Sequence, residues 1–415
     1  MRFRAESRSL GARSLDDEAP ALRSRSFLML LVATLGAFSG FVLLLPVVPL
    51  WAVEAGTSEV AAGATTGVFM LVTVLTQLGM PWLLRRFDHR LALGLGTFLI
   101  GVPAPLFALA AELWALLAVS GLRGVGFGLL TVTGSALVAE LVPAPQRGRA
   151  AGLYGLAVGL PNAILLPVGV WLAEHMGFVP LFWIAGVLPI AAAIAVAGIA
   201  PARNHAARDG VARDEVARDG TDHPETGRGR NFPVGLLPPW LVMTAVSIVA
   251  GGVIAFLPLA VVSSIAPVAL LAFGMATTGC RWLAGQVGDR FGSQAVLLPS
   301  VLMAVLGMAA VAVAAAGPAI VAVPGALVLG GGFGAVQNAT LVLMFERARS
   351  GPASTAWNVA YDAGNGIGAT GFGVLIGVVD YPATFSLAAV LVLCSVPFAL
   401  LRSSTRAKAR TGASP

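Results

Sequence analysis

Three ionisable side chains lie inside long apolar runs: Arg123, Arg281 and Asp362. A charge surrounded by hydrocarbon is costly unless it faces a cavity or a partner, so each is a candidate for function. Asp362, within Trp357-Asn358-Val359-Ala360-Tyr361-Asp362-Ala363-Gly364-Asn365, is the one acid deep in such a run. Burial and a nearby cation act on a carboxyl group's proton affinity in opposite senses, which can bring it into the range where it gains and loses a proton near neutral pH. Asp362 and Arg281 are therefore read either as a proton-coupling pair or as a static pair tying two helices. Gln77, Asn162, Gln337, Asn338 and Asn358 stand in similar runs. Such amides are commonly interhelical glue, contributing about 0.6 kcal/mol each, or else they line a substrate cavity. Gln337-Asn338 follows the Gly330–Gly334 cluster and can offer donors and acceptors to a bound molecule. Trp357 and Tyr361, four apart, share a helix face and form either an aromatic wall for an apolar ligand or plain packing.

The elements that must hold these groups are set by composition. Of 415 residues, 57% are hydrophobic and 11% charged, where a soluble domain carries about 25% charged. That excludes an ordinary water-soluble enzyme. Cys280 and Cys394 both sit in apolar runs, and His89, His175, His205 and His223 sit in connections or at span ends. No nucleophile stands beside a base and no metal-ligand spacing occurs, so no catalytic residue, metal site or cofactor is expected. The net charge of +6 does not call for nucleic acid, because the basic residues fall in a pattern that marks one side of a membrane.

A span needs about 20 apolar residues to cross the hydrocarbon. Twelve such runs are predicted, at Phe27–Leu50, Glu59–Leu84, Leu91–Ala111, Leu113–Leu141, Arg149–Leu172, Phe178–Ile199, Leu237–Val261, Ile265–Val287, Ala295–Ala315, Ala319–Leu343, Ser354–Val378 and Ala383–Leu401. Backbone groups in lipid must pair internally, so the spans are helices. Arg85, Arg86 and Arg90, Arg147 and Arg149, six arginines between spans six and seven, Arg290, and Arg347 with Arg349 occupy the even-numbered connections; the odd-numbered ones hold no Lys or Arg. Both termini and the central loop are therefore expected in the cytoplasm of a multi-pass cell-membrane protein. The polar first residues precede a run too long for a signal-peptide core and are expected to remain attached. The expected organisation is a disordered tail (1–26), a six-helix bundle (27–200), a linker containing the near-repeat ARDG, VARDE, VARDG (201–233), a second bundle (234–402) and a tail (403–415).

The two bundles repeat one another. Pro81-Trp-Leu-Leu-Arg85-Arg86-Phe87-Asp88 matches Gly285-Gln-Val-Gly-Asp289-Arg290-Phe291-Gly292 at an offset of 204, and Gly126-Phe127-Gly128 with Glu140 matches Gly332-Phe333-Gly334 with Glu346 at 206. Six spans restore the direction of the chain, so the fold class is all-α integral membrane, with twelve transmembrane helices in two parallel six-helix repeats that can rock around a central site.

The string Gly285-Gln286-Val287-Gly288-Asp289-Arg290-Phe291-Gly292 resembles the G-x-L-A-D-R-x-G signature of the major facilitator superfamily. Pro46-Val47-Val48-Pro49 and the Gly155, Gly159, Pro161, Pro167, Gly169 pattern resemble motifs of its twelve-helix drug/proton antiporter branch. The resemblance implies a gating motif at Gly285, Asp289, Arg290 and Gly292, with Asp289 facing the start of the fifth helix, and a degenerate first copy at Arg85 and Arg86. There Pro81 replaces a glycine, Arg85 the acid and Asp88 the second glycine. The family's R-x-x-Q-G-x-G appears as Ser120-Gly121-Leu122-Arg123-Gly124-Val125-Gly126, which places Arg123 as a further proton-coupling candidate. The three buried charges fall on helices that line the central cavity in that architecture, and helices three, six, nine and twelve carry none.

The leading expectation is a proton-coupled exporter of small apolar or amphipathic organic molecules, acting as a monomer by alternating access. Its rivals are an importer or facilitator of a sugar or other metabolite, and, from different classes, a membrane-embedded enzyme or a receptor or scaffold that transports nothing.

Overall fold

The computed structural model describes residues 22–84, 86–110, 112–143, 146–199, 234–262, 264–348 and 350–401. Both expected tails beyond those limits, the linker at 201–233 and Arg85 lie outside the described residues. The chain forms α1 (Arg25–Leu44, resuming as Val47–Glu54), α2 (Glu59–Leu83), α3 (His89–Gly101, then a 3-10 turn at Ala104–Ala108), α4 (Leu113–Leu141), α5 (Arg147–Met176) and α6 (Phe178–Ala197). The second half forms α7 (Leu237–Ala260), α8 (Ala266–Phe291), α9 (Ser293–Ala316), α10 (Ala322–Phe345), α11 (Ser350–Val378) and α12 (Tyr381–Cys394, resuming as Val396–Leu400). Eleven of these spans are apolar enough to cross a membrane by composition alone. The twelfth, α11, is long enough as well, but Asn358, Asp362 and Asn365 lower its hydropathy.

Local chemistry explains the boundaries. Ser24 and Ser58 accept the backbone N–H of Phe27 and Ala61, each at 3.3 Å, and Asp380 accepts that of Ala383 at 2.7 Å, so α1, α2 and α12 begin with a capped first turn. The predicted first span is not continuous. Proline lacks an N–H, and α1 breaks between Leu44 and Val47, then runs on to Glu54. Gly292 has φ +84°, a left-handed conformation that glycine adopts freely, and so turns α8 directly into α9. That gives the last glycine of the gating string a backbone reason.

Packing within the halves repeats. In the first, α1 packs on α5, α2 on α4, α3 on α4 and α3 on α6; in the second, α7 packs on α11, α8 on α10, α9 on α10 and α9 on α12. Small residues bring the backbones together. A Cβ on Gly96 of α3 would stand 2.8 Å from the Gly126 carbonyl of α4, and one on Gly126 would stand 2.7 Å from that of Gly96. The halves meet along two seams, α2 on α11 and α5 on α8, with a smaller contact of α1 on α7. The face on which α6 ends and α7 begins is called the linker side below.

Candidate transport site between the two bundles

The α2/α11 seam is closed from the far side to within about two turns of the linker end of α2. A Cβ on Gly373 would fall on the Glu59 carbonyl, one on Gly63 on the Ala369 carbonyl, and one on Gly67 on the Thr370 hydroxyl. At the linker end of this contact, Gln77 of α2 donates from Nε2 to Asp362 Oδ2 of α11 at 2.7 Å. The same nitrogen donates to Thr131 Oγ1 of α4 at 3.2 Å. Both Gln77 and Asp362 are buried, 5% and 4% exposed, and Gln77 Oε1 is a buried acceptor with no hydrogen-bond partner. At about 1.5 Å per residue, the stretch from Glu59 to Gln77 is closed over roughly 27 Å.

The α5/α8 seam parts earlier. A Cβ on Gly274 would stand 2.8 Å from the Asn162 carbonyl, and one on Gly159 would stand 3.7 Å from Thr278 Cγ2. Gly155 and Gly152, one and two turns nearer the linker side, would meet nothing within 4 Å. Arg281 follows Gly274 and Thr278 on the same face of α8, where the spacing of seven and three residues returns to one side of the helix. It is exposed, although it sits midway along a membrane span. It therefore lies where the seam opens into a cleft toward the linker side.

Arg281 donates from Nη1 to Gln337 Oε1 of α10 at 3.1 Å, and its guanidinium stands 5.8 Å from the centre of the Trp357 ring of α11. Trp357 stacks on Tyr361 with ring centres 5.5 Å apart, Tyr361 on Phe333 at 5.9 Å, and Phe333 on Phe273 at 5.8 Å. Trp357 Nε1 donates to Thr340 Oγ1 at 3.1 Å, which fixes the ring. The aromatic wall read from Trp357 and Tyr361 is thus a four-ring ladder across α11, α10 and α8. Its inner members Phe273 and Phe333, and Thr340, were not singled out by sequence because nothing distinguishes them from ordinary core residues.

The expected Asp362–Arg281 pair is not what the structure shows. Asp362 is held by Gln77 and Arg281 by Gln337. A match in depth along two helices did not settle which way the side chains point. Arg123 is 3% exposed and turned into the first bundle, where it donates from Nε to the Ile100 carbonyl and from Nη2 to the Gly40 carbonyl, both at 3.0 Å. It joins α4 to α3 and α1 and borders a narrow space lined also by Phe41, Phe69, Thr65 and Ser120. Asn162 and Asn358 donate to carbonyls of their own helices, those of Val158 and Ser354, at 2.9 and 3.0 Å. Asn338 lies against α8, its Nδ2 3.4 Å from where a Cβ on Gly285 would stand.

On the linker side Asp289 and Arg290 are exposed at the end of α8. Arg86 lies over the Trp82 ring at 4.8 Å, and Asp88 takes the N-cap position of α3. No group of three metal-ligating side chains occurs among the described residues.

The internal repeat extends to the hydrogen bonds. Thr73 Oγ1 donates to the Gly124 carbonyl at 3.1 Å, and Thr277 Oγ1 to that of Gly330 at 3.2 Å. Gln77 reaches Thr131 as Arg281 reaches Gln337. The partners are displaced by 204 residues between α2 and α8 and by 206 between α4 and α10. The offsets were available in the sequence and would have paired Gln77 with Arg281 as equivalents.

Two six-helix halves that repeat one another and meet along the α2/α11 and α5/α8 seams define a polytopic membrane protein built as a duplicated helical bundle. The chain belongs to the Major Facilitator Superfamily, whose sequence model matches residues 30–369. Its fold is similar to that of a D-xylose-proton symporter, with a TM-score of 0.69 at 17% identity over 90% of this chain and 98% of that one. It is also similar to a bacterial homolog of the human lysosomal transporter Spinster in an inward-facing, unoccupied conformation, with a TM-score of 0.68 at 15% identity over 96% and 99%. An uncharacterised MFS-type transporter of Mycobacterium tuberculosis is 30% identical over 186 residues, 44% of this chain and 27% of that protein. The riboflavin transporter RibZ of Clostridioides difficile is 28% identical over 114 residues, 28% and 25% of the two chains. The matched region thus spans about a quarter of the length of these relatives.

Proposed function

We propose that the chain is a proton-coupled exporter of small amphipathic or apolar organic molecules, working as a monomer in the cell membrane with the linker side in the cytoplasm. Asp362 is its proton carrier. The observation that carries this reading is the Gln77–Asp362 hydrogen bond, because it joins the two bundles through a buried carboxyl group. Ionised, Asp362 accepts a charge-assisted bond from Gln77 Nε2, stronger than a neutral one. Protonated, it becomes a donor, and the unpartnered Gln77 Oε1 is the adjacent acceptor. Both protonation states can therefore be satisfied at one place on the seam, with bonds of different strength. A proton arriving at Asp362 weakens the tie between α2 and α11 and favours rocking of the bundles, and its loss restores the tie. Arg123, held by two backbone carbonyls away from the cleft, braces the first bundle and carries no proton in this scheme.

The sidedness rests on the basic connections; in the proposed direction, substrate enters the cleft from the cytoplasm and leaves on the far side in exchange for protons. The test is transport by the full chain in vesicles with an imposed proton gradient. Asp362→Asn should abolish uphill movement while downhill exchange and substrate binding persist; retained uphill efflux ends the coupling reading. Uptake with protons rather than against them would make the chain a symporter.

A further inference from the structure

The repeat poses a specific question at Arg281. Gln77 and Arg281 are equivalent positions, and Gln77 finds Asp362 across its seam. The contacts Met70–Gly366 and Gly274–Asn162/Ala163 set the corresponding register on the other seam. They place the counterpart of Asp362 at Val158 and Gly159 of α5, where no side chain offers an acceptor. Of the five N–H donors of a guanidinium, the described bonds of Arg281 use one. The cation is exposed to the cleft, with the Trp357–Tyr361 wall beside it and an open face at Gly155 opposite.

We propose that Arg281 anchors the negatively charged group of the transported molecule, and that the substrates are amphipathic organic anions, chiefly aromatic carboxylates. The carboxylate of the substrate takes the place across the α5/α8 seam that Asp362 takes across the α2/α11 seam. A planar guanidinium can bind it through two parallel hydrogen bonds. Gln337 and the face of Trp357 hold the guanidinium in place from the side away from the cleft. The ring of the substrate lies in the space that the absence of side chains at Gly155 and Gly159 leaves opposite Arg281. Neutral molecules of the same shape lose the anchor, and cations are repelled by it.

This inference rests on the transport reading and adds a substrate class to it. The test is equilibrium binding of benzoate, 2-naphthoate and pyrenebutyrate, their methyl esters, and the amines of the same rings, to the purified full chain. At least one carboxylate should bind, tenfold or more tighter than its ester and its amine. Arg281→Gln should remove that preference and Arg281→Lys should keep part of it. Gly159→Asp leaves Arg281 in place and supplies an internal carboxylate where there is space for one; it should weaken carboxylate binding at least tenfold, while Gly159→Asn weakens it less than threefold and the ester is unaffected by either. A wild-type chain that binds none of the carboxylates, that prefers the amines, or whose carboxylate binding survives both Arg281→Gln and Gly159→Asp overturns the proposal. If carboxylates bind through Arg281 yet move without protons, the coupling reading falls and this one stands; if neutral or cationic compounds move against protons and Arg281→Gln is silent, the reverse holds.

Discussion

The α2/α11 and α5/α8 seams descend from one arrangement and now do different things. Each has a threonine bonded to a neighbouring glycine carbonyl and, four residues on, a polar side chain bonded to the next helix of its own bundle. Beyond that shared frame they diverge. At α2/α11 the polar residue is an amide that finds a carboxyl group in the opposite bundle, and the seam holds as far as that bond. At α5/α8 it is a guanidinium facing glycines, and the seam has parted there. A duplicated scaffold thus keeps the bonds that position a side chain and changes what that side chain meets.

The sharpest way to break this comparison is to add bulk to each seam. Leucine at Gly63 would drive into the backbone of Ala369 and Thr370, so Gly63→Leu should cost about 1–3 kcal/mol or more through overpacking. Gly155→Leu points into open space and should leave stability within about 0.5 kcal/mol, but it should cut transport at least tenfold by blocking closure of the cleft. Thermal unfolding in detergent compared with transport in vesicles separates the two. Equal destabilisation by both substitutions would mean that the seams do not differ.

A smaller effect distinguishes the two polar residues. Gln77→Ala leaves a buried carboxyl group without its donor, which costs about 1–3 kcal/mol. Much of that loss should vanish in the background of Asp362→Asn, because residues in direct contact are energetically coupled. Arg281→Ala leaves the buried Gln337 Oε1 without its donor and should also cost about 1 kcal/mol or more, but that loss should be the same in the Asp362→Asn background. A double-mutant cycle on unfolding midpoints reads both, and additive losses at Gln77 and Asp362 would deny the contact.

Most of the fold was legible because lipid allows few solutions. The twelve runs and the repeat followed from hydropathy and offset alone, and α4 matches its predicted limits of Leu113–Leu141. The break in α1 at Pro46 was missed because a span-length window averages over one absent N–H. At the site, the sequence identified Asp362, Arg281 and Gln77 as costly groups but not their partners. Depth along a helix is read from residue number, whereas facing depends on how whole helices rotate against each other, and that is set by contacts such as Gly274 on Asn162 that no local pattern announces.

The smallest effect is expected where the seams reach the linker side. Asp289 ends α8 and is exposed while the cleft is open. When the bundles rock to close that side, α8 approaches the start of α5, whose unpaired N–H groups carry partial positive charge. An acid there is stabilised by about 0.3–1 kcal/mol, so Asp289→Asn should shift the balance toward the open state by a factor of about 2 to 5. In the sequence repeat the equivalent position is Arg85, a cation that gains nothing from a helix amino terminus. Arg85→Ala should therefore shift the balance less. Labelling of a cysteine at Gly152, on the face of α5 that carries Gly155 and Gly159 and meets open space, in a chain with Cys280 and Cys394 replaced, measures the open fraction in each variant. A larger shift from Arg85→Ala than from Asp289→Asn would place the stronger latch on the α2/α11 seam and remove the asymmetry at its linker-side end.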